Sequence, residues 1–194
     1  MNMPLFTKEK TCFFAGHRPY RFSFPPDQER AFYENLILNI RSAVRSLVLN
    51  GCDTFLCGGS IGFDILCAEE VILLKREFPF VKLVCVLPFE KHYEDFQPAW
   101  RNKFLNILAY ADYVEYASRE YVDGCYHERK QKMLDNSSHM LTYFDGRGGG
   151  TARILAAAQL KKLKIINLYN APSKPPNITF FIGYDHDPFQ DANN

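Results

Sequence analysis

The stretch HMLTYFDGRGGGTARILAAAQLKKLKIINLY, residues 139–169, decides the fold class. Its first six residues form a short apolar run with the length and composition of a strand. DGRGGG follows, Asp145 to Gly150, and so much glycine ends any regular element. From Thr151 the apolar residues recur at helical spacing, with a hydroxyl at the helix start, and KIINLY is a second strand-like run. Strand, glycine turn, helix and strand make a βαβ unit, whose two strands lie parallel in one sheet.

The same alternation fills the chain before it. TCFFAG is a first strand, and DQERAFYENLILNIRSAVRSLVLNG a long amphipathic helix, with Asp27 as its cap and Gly51 as its stop. DTFLCG, VKLVCVLPF and DYVEYA are further strands. Helices are expected over FDILCAEEVILLKREF, around Asp95 to Ala109, and from Tyr126 to Asp135. Residues 1–170 therefore read as one Rossmann-like α/β domain, a doubly wound, mostly parallel sheet with helices on both faces. Residues 171–194 read as a Pro/Asn-rich extension, in which ITFFIGY adds an edge strand and DHDPFQDANN is a tail.

The bulk properties narrow the function classes. The 23 basic and 22 acidic residues leave a formal charge of +1. That balance supplies no global attraction to nucleic acid or anionic membranes, so nucleic acid is not an expected partner. MNMPLFTKEK lacks the apolar core of a signal peptide, and no apolar run of ~18 residues would span a bilayer, so a cytoplasmic protein is expected. The six cysteines include no C-x-x-C pair and mostly sit in apolar stretches, which points to reduced core thiols and no metal site.

In an open parallel sheet ligands bind beyond the carboxyl ends of the strands, and the unusual residues of this chain fall there. GHRP (Gly16, His17, Arg18) follows strand one. Arg18 is suited to fork a phosphate or carboxylate and His17 to donate or accept, unless the pair satisfies structural partners. GGSIGFD follows strand two, with Gly58, Gly59, Ser60 and Gly62 before a helix start whose free amides favour an anion. Asp64 and Glu69 in that helix suit either the helix dipole or catalysis, with Asp64 nearer the loop. Gly148, Gly149, Gly150 and Thr151 repeat the geometry after strand five. Neither loop continues as Gly-Lys-Ser/Thr, so no P-loop is present. In the helix containing YHERKQKM, Arg129 falls beside the crevice, whereas His127, Lys130 and Leu134 share a face of an ordinary amphipathic helix. Tyr20, Tyr93, Trp100 and Tyr121 are placed either to stack on a base or to pack in the core or rim.

AGHRPY, CGGSIGFDILCAEE, VLPFE and DGRGGGTARILAAAQ, in this order, resemble the SLOG superfamily of Rossmann-like proteins and, within it, the YpsA-like branch of unknown function. The superfamily includes DprA-type single-strand DNA binders and LOG-type enzymes that cleave the N-glycosidic bond of nucleoside 5'-monophosphates. The resemblance covers Thr11 to Tyr169. It implies a nucleotide-type ligand, a phosphorylated nucleoside or ADP-ribose-like molecule, with no separate cofactor and a sensor or regulator role, and it permits a homo-oligomer. It matches Arg129 to the LOG-type arginine and Gly148–Thr151 to the glycine loop. The LOG-type glutamate position, however, holds Ile154, which cannot carry charge or activate water. Phosphoribohydrolase activity would therefore need a relocated carboxylate, Asp64 or Glu69, working with Arg129.

Overall fold

The structure is a computed structural model and describes residues 7–169; the edge strand and tail expected over 171–194 lie outside the described residues. Six strands alternate with five α-helices. They are β1 (Thr11–Gly16), α1 (Glu29–Leu49), β2 (Thr54–Cys57), α2 (Phe63–Leu74), β3 (Lys82–Phe89), α3 (Pro98–Tyr110), β4 (Tyr113–Ser118), α4 (Cys125–Asp135), β5 (His139–Tyr143), α5 (Gly150–Leu160) and β6 (Lys164–Asn167). All the strand pairings are parallel, in the order β4-β3-β2-β1-β5-β6.

The chain builds outward from β1 to β4, then returns to place β5 on the other side of β1. Since crossovers between parallel strands are right-handed, this reversal puts later helices on the opposite face. Phe14, Phe55, Leu83 and Leu87 pack with α1, α2 and α3, whereas Phe13, Leu56, Val84 and Val86 pack with Met133 and Leu134 of α4 and Leu155 and Ala158 of α5. Successive strand residues thus serve opposite cores, which is why these strands are continuously apolar rather than alternating.

Two helix starts differ from the sequence expectation. Asp27 does not cap α1: it lies within a 3₁₀ turn, Pro26–Gln28, and the helix begins at Glu29 with no side-chain cap. The rings of Pro25 and Pro26 fix φ, and the tight turn absorbs the residues that the amphipathic pattern extended into. α3 starts at Pro98, later than expected, because a proline is accepted at a first helical position and holds Gln97 before it extended. The six cysteines are free and buried. Among the described residues no helix is long and apolar enough to cross a membrane.

Candidate functional site

The strand reversal leaves a crevice between the carboxyl ends of β1 and β5, and there the structure holds a cavity of about 420 Å³. Gly16, His17, Arg18, Tyr20 and Arg21 from the β1 exit form one wall. Ser60 and Asp64 close the base, Tyr126, Arg129, Lys130 and Met133 come from α4, and Gly150, Thr151 and Ile154 from α5.

Close backbone approach at the head of α2 sets the base. A Cβ on Gly16 would stand 2.5 Å from the Phe63 ring, so only glycine lets α2 pack against the end of β1. Gly62, before the helix, has φ +95, and a Cβ there would lie 2.8 Å from the His17 carbonyl oxygen. With both contacts made, the Phe63 amide donates to the His17 carbonyl at 3.2 Å. Gly16 and Gly62 are therefore spent on joining α2 to β1.

A polar latch ties the β1 exit to the loop after β5. The buried His17 ring places Nε2 2.7 Å from Asp145 Oδ1, and Arg147 pairs with the same carboxylate. Arg21 donates through Nη1 to the Gly148 carbonyl at 2.7 Å, and Arg147 Nη2 donates to the Arg21 carbonyl at 3.1 Å. On the far side, Asn167 of β6 accepts from the Phe144 amide at 3.0 Å and donates to its carbonyl at 2.8 Å. Burial lowers the His17 pKa, with Asp145 only partly opposing it. The ring is then neutral at pH 7, and its Nε2–H donates to the carboxylate. Asp145 would be raised by burial, but hydrogen bonds from the Arg147 side chain and amide and from His17 outweigh this and hold it at about 2.

The charges that face the cavity are mostly positive. Arg129 is buried and donates through Nη1 to the Gly58 carbonyl at 2.7 Å, with Ser60 Oγ at 3.4 Å and its guanidinium 5.5 Å from the Tyr126 ring centre. Asp64 is the buried counter-charge. Burial pushes it up to about 6, against Arg129 and the backbone amides of Gly16 and Ser60, which favour its charged form. Arg18 is exposed to the cavity, and its side chain makes no hydrogen bond or ion pair among the described residues. Lys130 is half-buried, and its amine lies against the start of α5, 3.5 Å from where a Cβ on Gly150 would stand. Burial, then Arg129, Arg153 and Arg18, lower its pKa to about 8, with Asp64 the opposing influence. A cationic hollow at a switch point, with a helix start in its wall, is arranged to receive an anion.

Of the residues singled out in the sequence, Gly16, His17, Arg18, Ser60, Asp64, Arg129, Gly150 and Thr151 are brought together around this cavity. Gly58, Gly59, Gly62, Gly148 and Gly149 shape the loops behind it without lining it. Glu69 is elsewhere: Lys103 of α3 holds both its carboxylate oxygens at 2.7 Å. Among the aromatic candidates Tyr20 lines the cavity, whereas Tyr93 and Trp100 pack on the α1–α3 core and Tyr121 stands edge-on to Phe89. Ile154 both lines the cavity and belongs to the α4–α5 core. Sequence reading passed over Arg21 and Tyr126 and gave Lys130 to an ordinary amphipathic face, whereas it is half-buried in the cavity wall. The available signal for Lys130 was its place next to Arg129, the residue already placed beside the crevice.

The fold agrees with what the chain is similar to. A UPF0398 protein of Staphylococcus epidermidis is 28% identical over 138 residues, 70% of this chain and 73% of that protein, and one of Staphylococcus aureus is 27% identical over 139 residues. DNA processing protein A (DprA) of Streptococcus pneumoniae superposes with a TM-score of 0.54 at 13% identity, over 86% of this chain and 52% of that one. The Helicobacter pylori DprA, described with a single-stranded DNA binding mode, gives 0.55 at 16% identity over 87% of this chain and 68% of that one. The chain thus spans about half of the pneumococcal protein, and both likenesses concern the fold. The YspA SLOG family model (YpsA) matches residues 12–170, so the chain belongs to that family.

Proposed function

We infer that the protein binds a phosphorylated nucleoside, or an ADP-ribose-like relative of one, in the cavity between the β1 exit and α5, and acts as a sensor or regulator through that ligand. The observation that carries this reading is the convergence of Arg18, Arg129 and Lys130 with the start of α5 on one hollow whose lining has Asp64 as its carboxylate. A phosphate there meets an unpaired guanidinium, a desolvated amine and the first turn of a helix, each favourable to an anion. Tyr20, 76% exposed at the edge of the cavity, offers a ring to a base. The volume suits a small ligand rather than a long polymer groove.

The test is thermal stabilisation by AMP and ADP-ribose. A ligand present at one hundred times its Kd adds about 2.7 kcal/mol to the folded state. Arg18→Ala should reduce that shift severely, and an undiminished shift in this variant would remove the site from consideration. Because H. pylori DprA is described with single-stranded DNA, an oligonucleotide belongs in the same screen; a steeply salt-dependent affinity for it, with no nucleotide shift, would favour a DNA ligand.

Asp64 favours a second reading, phosphoribohydrolysis. It lines the cavity and its carboxyl is pushed up to about 6, the range of an acid–base catalyst. Release of free base from nucleoside monophosphates, lost in Asp64→Asn, would support it. No release at high protein concentration would leave binding alone.

A further inference from the structure

Lys130 is more than one positive charge among several. Arg129 is committed to the Gly58 carbonyl, whereas the Lys130 amine makes no hydrogen bond or ion pair among the described residues and stands in the cavity wall. Three guanidinium groups act on it from three elements, Arg129 on α4, Arg153 on α5 and Arg18 on the β1 exit, with Asp64 at the head of α2 opposing them. A lysine becomes a nucleophile when desolvation and neighbouring cations make its neutral form accessible near neutral pH. Both conditions are met here, in a hollow lined by further cations, Arg18 and Arg129. An amine that served only to attract phosphate would gain nothing from a lowered pKa in the free protein.

We propose that the Lys130 amine condenses with the aldehyde of a phosphorylated sugar that has a free reducing end, forming an imine in the cavity. The proposal rests on the anion-site reading above, because Arg18 and the start of α5 would hold the phosphate while the carbonyl reaches the amine. In the addition step the nitrogen lone pair forms a C–N bond to the carbonyl carbon, the C=O π bond breaks, and one amine proton passes to the oxygen. In the second step the hydroxyl leaves with the other amine proton as water and the C=N bond closes. Amine plus aldehyde gives imine plus water, with no oxidant or reductant. Of the ligands considered above, ADP-ribose carries such a reducing sugar and AMP does not, so the lysine would distinguish two molecules that share a nucleotide.

Reductive trapping tests this on the full chain. Incubation with ribose 5-phosphate and cyanoborohydride should give a single adduct whose mass is that of the sugar phosphate less one oxygen, on the peptide containing Lys130. Lys130→Arg and Lys130→Met should fall to the background of surface lysines, and ribose without its phosphate should trap several-fold less. Labelling with no enrichment at Lys130, or equal labelling in both variants, overturns the proposal. AMP, with no aldehyde, separates the two readings. Stabilisation by AMP without trapping at Lys130 refutes the covalent role and leaves the binding site standing. Trapping at Lys130 without an AMP shift keeps the lysine and discards the nucleotide. Neither effect removes both.

Discussion

Raising the pH from about 7 to about 9 is expected to weaken AMP binding by roughly tenfold, through one amine. In the free protein Lys130 titrates at about 8, held down by burial and by Arg129, Arg153 and Arg18. A phosphate beside it favours the charged form, so binding carries proton uptake wherever the amine starts neutral. If only the protonated form binds well, the apparent Kd scales as one plus the ratio of neutral to charged amine. That factor is about 1.1 at pH 7 and about 11 at pH 9, a difference of about 1.4 kcal/mol. The other groups of the cavity do not blur the window. Asp64, at about 6, and the phosphate, whose second ionisation is centred near 6, are both largely ionised by pH 7, and burial raises Tyr126 above its ordinary range. Calorimetric titration across this range, in two buffers of different ionisation enthalpy, reads both the affinity and the proton taken up. Lys130→Arg should bind with no such slope, since its guanidinium stays charged. A flat wild-type profile, or the same slope in the variant, would refute the linkage. Without ligand the sign reverses. The lowered pKa penalises the folded state at and below pH 8, and stability should rise from there towards pH 10 as the folded amine loses its proton before the unfolded one.

Other perturbations test the scaffold. Gly62→Ala combines positive φ with a Cβ 2.8 Å from the His17 carbonyl and should cost about 3 kcal/mol, read from the denaturant midpoint. Gly51→Ala, at φ +97 but in open space, should cost about 1 kcal/mol. Arg129→Met strips Asp64 of its buried counter-charge and the Gly58 carbonyl of its donor, an expected loss of about 3 to 5 kcal/mol; adding Asp64→Asn should recover part of it. Asp145→Asn should be less stable than wild type above about pH 4, with the difference fading as the pH falls towards about 2, where the wild-type carboxylate itself takes a proton. Acid denaturation curves of the two proteins should converge there.

Much of the fold is legible locally. Each strand was visible as a short apolar run, and β1 has the expected bounds, because a parallel strand buried on both faces needs no alternation. The helix starts at Glu29 and Pro98 were harder, since an amphipathic pattern does not say which turn is α-helical and which is tighter. The glycine-rich loops marked the right end of the sheet, yet only part of each faces the cavity. Gly59 and Gly62 stand under Leu87, Phe104 and the His17 backbone instead. Glu69, farther from the loop than Asp64, stayed a catalytic candidate beside it until α3 supplied Lys103.

By itself the sequence determined the alternation of strand and helix, and with it a sheet whose polar and glycine-rich loops collect at one end. These properties depend on residues near in the chain: hydrophobic period, turn chemistry and helix starts. Only the tertiary structure decided which side chains meet. Lys130 occupies an unremarkable position in its own helix, and its lowered pKa comes first from burial in the assembled cavity wall, then from Arg129 beside it and from Arg153 and Arg18, which the strand reversal at β1 and β5 brings from distant parts of the chain. Periodicity fixes where a side chain points relative to its own axis. What stands opposite depends on strand order and helix packing, and so the charge state of the cavity is a property of the assembled sheet.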